Sequence, residues 1–251
     1  MNSKSKPARK HRLDVELVEQ GFFSSTQDAM RAVLAGEVST TNRRLERPGE
    51  QVRPGIELHV RGRIPYVSRG GLKLAHGLDE FGVEVEGLSC LDVGCSTGGF
   101  TDCLLRRGAK RVVSVDVGYA QFDWSLRQDE RVTLLERTNI VDVPGMDGVE
   151  PVQLAVCDVS FTSVLTVAPA VRELVVPGGR FLTLVKPQFE VARDQVGEGG
   201  IVRDEAVRRD ALERVSAGLE ELGFSVQGTC TSPITGHKGN VEFLLLALRG
   251  E

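Results

Sequence analysis

No apolar run in this 251-residue chain approaches the length that crosses a bilayer, so no membrane-spanning helix and no membrane partner are expected. The opening stretch, MNSKSKPARKHR, is basic and polar, with no apolar segment behind it. A secretory leader is therefore not expected, and residues 1–10 read as a disordered basic arm. The cysteines, Cys90, Cys95, Cys103, Cys157 and Cys230, are odd in number and show no C-x-x-C spacing. Buried thiols in a reducing cytoplasm fit this better than a disulfide framework. No metal requirement is read from the sequence. Beyond Phe22 and Phe23 the first 62 residues hold no Phe, Tyr or Trp, so base stacking is not expected to dominate there.

The remaining composition, 41% hydrophobic and 26% charged, is that of an ordinary globular protein with enough length for one large or two smaller domains. The net charge of −4 hides a division. Residues 1–70 carry 13 Lys and Arg against 8 Asp and Glu, whereas the rest carries 18 against 27. A basic head on an acidic body points to a polyanionic partner for the head.

Residues 12–36 read as two short helices broken at Gly21, with Ser24 or Ser25 capping the second and Gly36 ending it. Strand-like pieces follow: EVST, ERPGEQV and IELHV. The expected domains are a small α+β head at 1–62, a linker at 63–66 and a large domain at 67–251. From residue 88 on, continuous Val/Leu runs alternate with helical stretches, among them a helix from about Tyr119. That pattern means a doubly wound α/β domain with a mostly parallel seven-stranded sheet. The last two strands are joined by TSPITGHKG, without a helix, and should form an antiparallel edge pair.

LDVGCSTGGFTDCL follows the first strand of that domain and opens a helix. Gly94, Gly98 and Gly99 have G-x-x-x-G-G spacing, which is neither the dinucleotide fingerprint nor a phosphate loop with its lysine. Asp92 would repel a pyrophosphate but suits an ammonium group. S-adenosylmethionine carries one. Asp116, at the end of the second strand, can accept both ribose hydroxyls. Asn139 and Ile140 stand where an adenine edge and face would lie.

Transfer to an exocyclic amine usually uses Asn or Asp, then Pro-Pro and an aromatic, after the fourth strand; here the stretch is CDVSF. Attack on a pyrimidine carbon needs a cysteine nucleophile, and Thr229-Cys230 falls inside a strand. Asp158, Lys186 and Glu242 fall at strand ends lining the ligand crevice, and Lys73, in VSRGGLKL, can join them from ahead of the first strand. A lysine there is costly unless paired. A Lys-Asp-Lys-Glu set suits methylation of a ribose 2′-hydroxyl. Lys186 is then base or hydroxyl orienter, Asp158 and Lys73 tune it by charge, and Glu242 holds the second lysine or a water.

With these blocks in order, the chain resembles the haemolysin-A-type ribosomal RNA 2′-O-methyltransferases over nearly its whole length. RLDVELVEQGFFSSTQDAMRAVLAGEV is similar to an S4 RNA-binding module. YVSRGGLKL, LDVGCSTGGFTDCLL, VDVGYAQ, CDVSF, LVKPQFE, GGIVRD and GHKGNVEFLL are similar to the family's methyltransferase blocks. The resemblance implies a catalytic tetrad of Lys73, Asp158, Lys186 and Glu242. It implies an S-adenosylmethionine site on Asp92, Gly94, Ser96, Thr97, Gly98, Gly99, Phe100, Asp116, Asn139 and Ile140. The substrate implied is a cytidine ribose of 16S and/or 23S ribosomal RNA within 30S and/or 50S subunits. The head departs from the S4 pattern at Ser25-Thr26 and at STTNRRL, so Arg12, Arg31, Arg43 and Arg44, with Arg69, are expected to supply phosphate contacts. Two other classes remain open: a membrane-active haemolysin and a non-catalytic RNA-binding assembly factor.

Overall fold

The computed structural model describes residues 10–20, 22–23, 25–40, 43–54, 56, 58–62 and 65–251, without the side chains of His59 and His237. Most of the expected basic arm, the break at Gly21, Ser24 as a cap, Thr41-Asn42 and residues 63–64 of the expected linker lie outside the described residues. The chain divides into two units, Met1–Ser68 and Arg69–Glu251.

The first unit holds β1 (His11–Arg12), α1 (Leu13–Glu19), α2 (Thr26–Leu34), β2 (Val38–Ser39), β3 (Gln51–Val52) and β4 (His59–Val60). Ser25 starts α2 by accepting a hydrogen bond from the Asp28 amide at 3.2 Å, and Gly36, at φ +68°, lets the chain leave it. The three strand-like pieces contract to two-residue ladders, β1 on β3 and β2 on β4, both antiparallel. β1 replaces the start of the first expected helix, because His11 and Arg12 pair with Val52 and Gln51. Leu13, Leu17, Val33, Val38 and Leu45 fill a core completed by Phe22 and Phe23. The two phenylalanines are therefore packing residues.

The second unit runs α3 (Gly70–Glu80), β5 (Ser89–Val93), α4 (Gly99–Arg106), β6 (Arg111–Val115), α5 (Trp124–Arg127), β7 (Val132–Leu135), β8 (Val152–Cys157), α6 (Val164–Leu174), β9 (Val175–Val185), α7 (Pro187–Glu190), α8 (Glu205–Glu221), β10 (Phe224–Thr231) and β11 (Phe243–Arg249). The strands form one seven-stranded sheet in the order β10-β11-β9-β8-β5-β6-β7. β9, β8, β5, β6 and β7 are mutually parallel, and β11 runs against both β9 and β10. This is the expected doubly wound sheet with its antiparallel edge pair.

Strand periodicity decides what each face carries, because residues two apart point the same way. Leu91, Val93, Ala155, Cys157, Val185 and Leu245 enter the core shared with α6 and α8. Their neighbours face the opposite side, where Gly77 of α3 lies against Leu182 and Leu244. Asp92, Asp116, Asp158, Lys186 and Glu242 all have the parity of that second side. Each of the last four stands one residue outside its strand, so five charged groups gather where the sheet's carboxyl ends meet α3 and α4.

Gly70 and Gly71 open a regular helix, and Lys73 lies in that helix's first turn. One local expectation is corrected. The helix expected from about Tyr119 is only α5, four residues long. It starts where the Asp123 carboxylate accepts from the Ser125 amide at 2.8 Å, leaving 117–123 as loop.

Candidate active site

Two ion pairs sit at the carboxyl edge of the sheet. Lys73 Nζ donates to Glu242 Oε2 at 2.5 Å, and both side chains are buried. Gly236 makes room for that carboxylate: a Cβ there would meet Glu242 Oε1 at 1.9 Å. Lys186 Nζ lies 2.5 Å from Asp158 Oδ1 and donates to Ser160 Oγ at 2.8 Å. Phe243 is paired with Val185, so Glu242 and Lys186 stand opposite each other one step past the ladder. The four residues read as a tetrad thus occupy three adjacent strand ends and the first turn of α3.

The segments around Lys186 are tied together. Glu190, buried at the end of α7, accepts from Ser163 Oγ at 2.6 Å and from the Val164 amide at 2.9 Å. It therefore joins the start of α6 to the turn after Lys186. The loop so fixed carries Ser160 and Phe161, and Phe161 has φ +65° and is 90% exposed as a residue. Its ring packs at a tilt on Phe189, with centroids 5.1 Å apart. A bulky residue in left-handed backbone is strained, and such strain concentrates at functional sites. Ser160, Phe161 and Glu190 were missed by reasoning on charge alone; the aromatic in CDVSF was the visible signal.

The glycine loop fits a small cationic ligand. Gly94, at φ +79°, brings the backbone so close to Asp158 that a Cβ would lie 2.9 Å from its carbonyl oxygen. Asp92 is wholly buried; its Oδ2 accepts from Thr101 Oγ1 at 2.6 Å, while its Oδ1 has no hydrogen-bond partner. Burial pushes this carboxyl up to about 7, against the Thr101 hydrogen bond that favours the charged form. A buried acceptor left orphaned is expensive, so a ligand donor beside it is favourable. Asp116 accepts from the Ser96 amide at 2.7 Å and the Gly118 amide at 2.6 Å, one on each oxygen, which leaves lone pairs on both. Gly98 caps α4 in left-handed backbone at φ +94°, Thr97 precedes it, and Gly99 and Phe100 are buried in the first turn.

Other expected positions have plain structural duties. Asn139 accepts from the Val141 amide at 3.3 Å and caps a 3-10 turn, and the Ile140 side chain is buried in the core, while Val141 is the exposed neighbour. Cys230 lies in β10 with its thiol pushed up to about 11, first by burial and then by Glu80, which makes it a poor nucleophile. Among the head arginines, Arg12 holds Asp14 through two hydrogen bonds, Arg31 pairs with Asp28 at 3.1 Å and Arg43 pairs with Glu50. Arg44 donates to the Ala35 carbonyl at 3.3 Å and lies over Gly36. Arg43, Arg44 and Arg47 line an open groove with Glu46 and Glu50, and Arg47 was not foreseen. Arg69 is exposed just before α3. Among the described residues no helix is long and apolar enough to cross a membrane.

A doubly wound sheet with a glycine loop after its first strand and charged strand ends defines an α/β methyltransferase. Residues 66–249 match the model of the FtsJ-like methyltransferases, and the chain belongs to that family. It is 48% identical over 240 residues to the "Putative rRNA methyltransferase YqxC" of Bacillus subtilis, covering 95% of this chain and 85% of that one. It is 42% identical to the "16S/23S rRNA (cytidine-2'-O)-methyltransferase TlyA" of Mycobacterium tuberculosis, covering 95% and 90%. Among solved structures, "Putative hemolysin from Streptococcus thermophilus" matches with a TM-score of 0.74 and 43% identity, covering 97% of this chain and 90% of that one.

Proposed function

We propose that this protein methylates the 2′-hydroxyl of a cytidine ribose in 16S and/or 23S ribosomal RNA, within 30S and/or 50S subunits in the cytoplasm. The observation that carries the reading is Lys186 Nζ, held by Asp158 and Ser160 at the edge of the glycine loop. An ammonium has three donor hydrogens. One is given to Ser160, and the Asp158 carboxylate balances the charge as an ion pair, which leaves donor capacity for a substrate oxygen. S-adenosylmethionine supplies an electrophilic methyl on a sulfonium. Its ammonium group suits the orphan oxygen of Asp92, its ribose suits Asp116, and Gly94, Ser96, Thr97, Gly98, Gly99 and Phe100 form the surrounding wall. Asn139 and Ile140 border the adenine side through their backbone.

Lys186 orients the 2′-oxygen in line with the methyl carbon. To take the hydroxyl proton, Lys186 would first pass one of its own through the Asp158 carboxylate to solvent. The neutral amine would then accept the proton of the 2′-hydroxyl as the oxygen–carbon bond forms and the carbon–sulfur bond breaks. Lys73 and Glu242 fix α3 against the start of β11 and add a balanced charge pair beside Lys186. The exposed Phe161 ring offers a face to an unstacked base. The head acts as an S4-type module whose Arg12, Arg31, Arg43 and Arg44, with Arg69, hold phosphates without reading sequence.

The test is methyl transfer from labelled S-adenosylmethionine to separated 30S and 50S particles, followed by mapping of the modified nucleotide. Label on a cytidine 2′-oxygen is expected. Label on a base, or none on either particle, overturns the reading.

A further inference from the structure

We infer that the α8 side of the sheet carries a second anchor for the substrate strand, a phosphodiester subsite built on Arg208. The inference rests on the reading of RNA as substrate and adds a residue on the face opposite the tetrad. Val241 and Phe243 alternate with Glu242 along the chain. They therefore point away from Lys73, toward α8. Thr231, the last residue of β10, is paired with Phe243. The first two turns of α8 bring Glu205, Arg208, Arg209 and Leu212 against them, and the cleft between measures about 240 Å³.

The two arginines differ. Arg209 is exposed and reaches Glu205 at 3.5 Å, a surface pair of little strength. Arg208 is half-buried, and its guanidinium makes no hydrogen bond or ion pair with any described residue. A guanidinium offers five donors in a planar fork and cannot shed its charge. With no acceptor on the protein, the fork is free to take an oxyanion that enters the cleft. The walls are the apolar faces of Leu212, Val241 and Phe243, with the Thr231 hydroxyl among them. A fork beside an apolar wall and a hydroxyl matches a sugar–phosphate unit.

The location sets which unit. Phe243 is also paired with Val185, the residue before Lys186. The cleft and the catalytic amine therefore share one crest, on opposite faces of the same strand ends. An RNA strand that presents its ribose to Lys186 and crosses β11 drops its next phosphates into the cleft. Arg208 touches none of the reacting atoms; it is a positioning residue that holds the strand in register.

The experiment compares wild type, Arg208→Gln and Arg208→Lys in methyl transfer to ribosomal subunits at several salt concentrations. Arg208→Gln is expected to raise KM about ten-fold, as for loss of one charge-assisted hydrogen bond, with kcat little changed. The slope of log KM against log salt should fall by about 0.7, the share of one phosphate contact on a single strand. Arg208→Lys should restore the salt slope while recovering KM only in part, because an amine keeps the charge and loses the fork. Thermal melting and S-adenosylmethionine binding report whether the variants are folded. A wild-type KM and salt slope in folded Arg208→Gln overturns the subsite. Should the wild-type protein transfer no methyl to either particle, the proposed reaction fails on its own. Filter binding of a ribosomal RNA fragment then decides the subsite: a shallower slope in Arg208→Gln supports it, and an equal slope overturns it.

Discussion

The two lysine pairs at the sheet edge use the same chemistry in opposite ways. Lys73 and Glu242 are both buried, with side chains 11% and 2% exposed, and each ties down an element the other needs. Lys186 is equally buried at 10%, but Asp158 is 21% exposed, and the second partner is a serine on an exposed loop. The first pair is closed and the second opens toward solvent. Removing one member of a closed pair strands a charge, whereas the open pair can admit a substrate oxygen. The comparison separates a lysine placed to hold the fold from one placed to meet a substrate.

The variant that tests this most severely is Lys186→Ala. Its methyl transfer should fall by about 10³-fold or more, the upper part of the range for a positioned proton-transfer group. Cofactor affinity and melting temperature should stay near wild type. Equal turnover in the variant removes Lys186 from the reaction.

Lys73→Ala should act in the reverse order. It leaves Glu242 buried and unpaired, a loss of about 3–5 kcal/mol that chemical denaturation can measure. The double change Lys73→Met with Glu242→Leu separates fold from reaction. Replacing a buried pair by apolar residues is close to neutral for stability, so melting should recover. If the paired charges assist Lys186, turnover should remain low. Recovery of both would make the pair purely structural.

Ser160→Ala sharpens the open pair by a smaller step. Loss of one hydrogen bond to a charged group, about 1.5–3 kcal/mol, predicts roughly a ten-fold or larger drop in kcat. The cofactor's KM should not move, and Ser160→Thr should recover part of the rate. An unchanged kcat in Ser160→Ala would show that Asp158 alone holds the amine.

Much of this was legible in the sequence because a sheet obeys a period of two. Asp92, Asp116, Asp158, Lys186 and Glu242 share one parity relative to their strands, and that parity is written in the Val/Leu runs. The loop glycines were legible for a similar reason, since Gly94 passes too close to the Asp158 carbonyl for any side chain. Residues that act from loops or helices were not. The hydroxyl of Ser160 reaches Lys186 across 26 positions by a turn that no periodicity announces. Glu190 serves the start of a helix that precedes it in the chain. In the head, the strand pieces shrank to two-residue ladders because its core is small and its backbone is satisfied largely by turns. Its arginines could be counted, but their partners, such as Asp14 and Glu50, could not be read from spacing.

Asp92 gives the mildest test, and it contrasts the acids at the cofactor loop with those at the lysines. Burial holds its carboxyl near 7, far above the usual carboxylate range. The unfolded chain releases this proton at the ordinary carboxylate pH, whereas the folded chain keeps it until about 7. Between those limits the folded state binds more protons, so the group's contribution to stability is present in acid and is lost as pH rises through about 7. An ammonium ligand reverses the preference, because it favours the charged carboxylate. Cofactor affinity should therefore rise several-fold between about pH 6 and pH 7.5, with proton release on binding that calorimetry in buffers of different ionisation heat can count. Asp92→Asn should flatten that profile and weaken binding, yet melt higher than wild type above neutral pH, where the native carboxylate is charged and half unsatisfied. A lower melting temperature together with an unchanged binding profile would mean that the orphan oxygen of Asp92 serves the fold and not the cofactor.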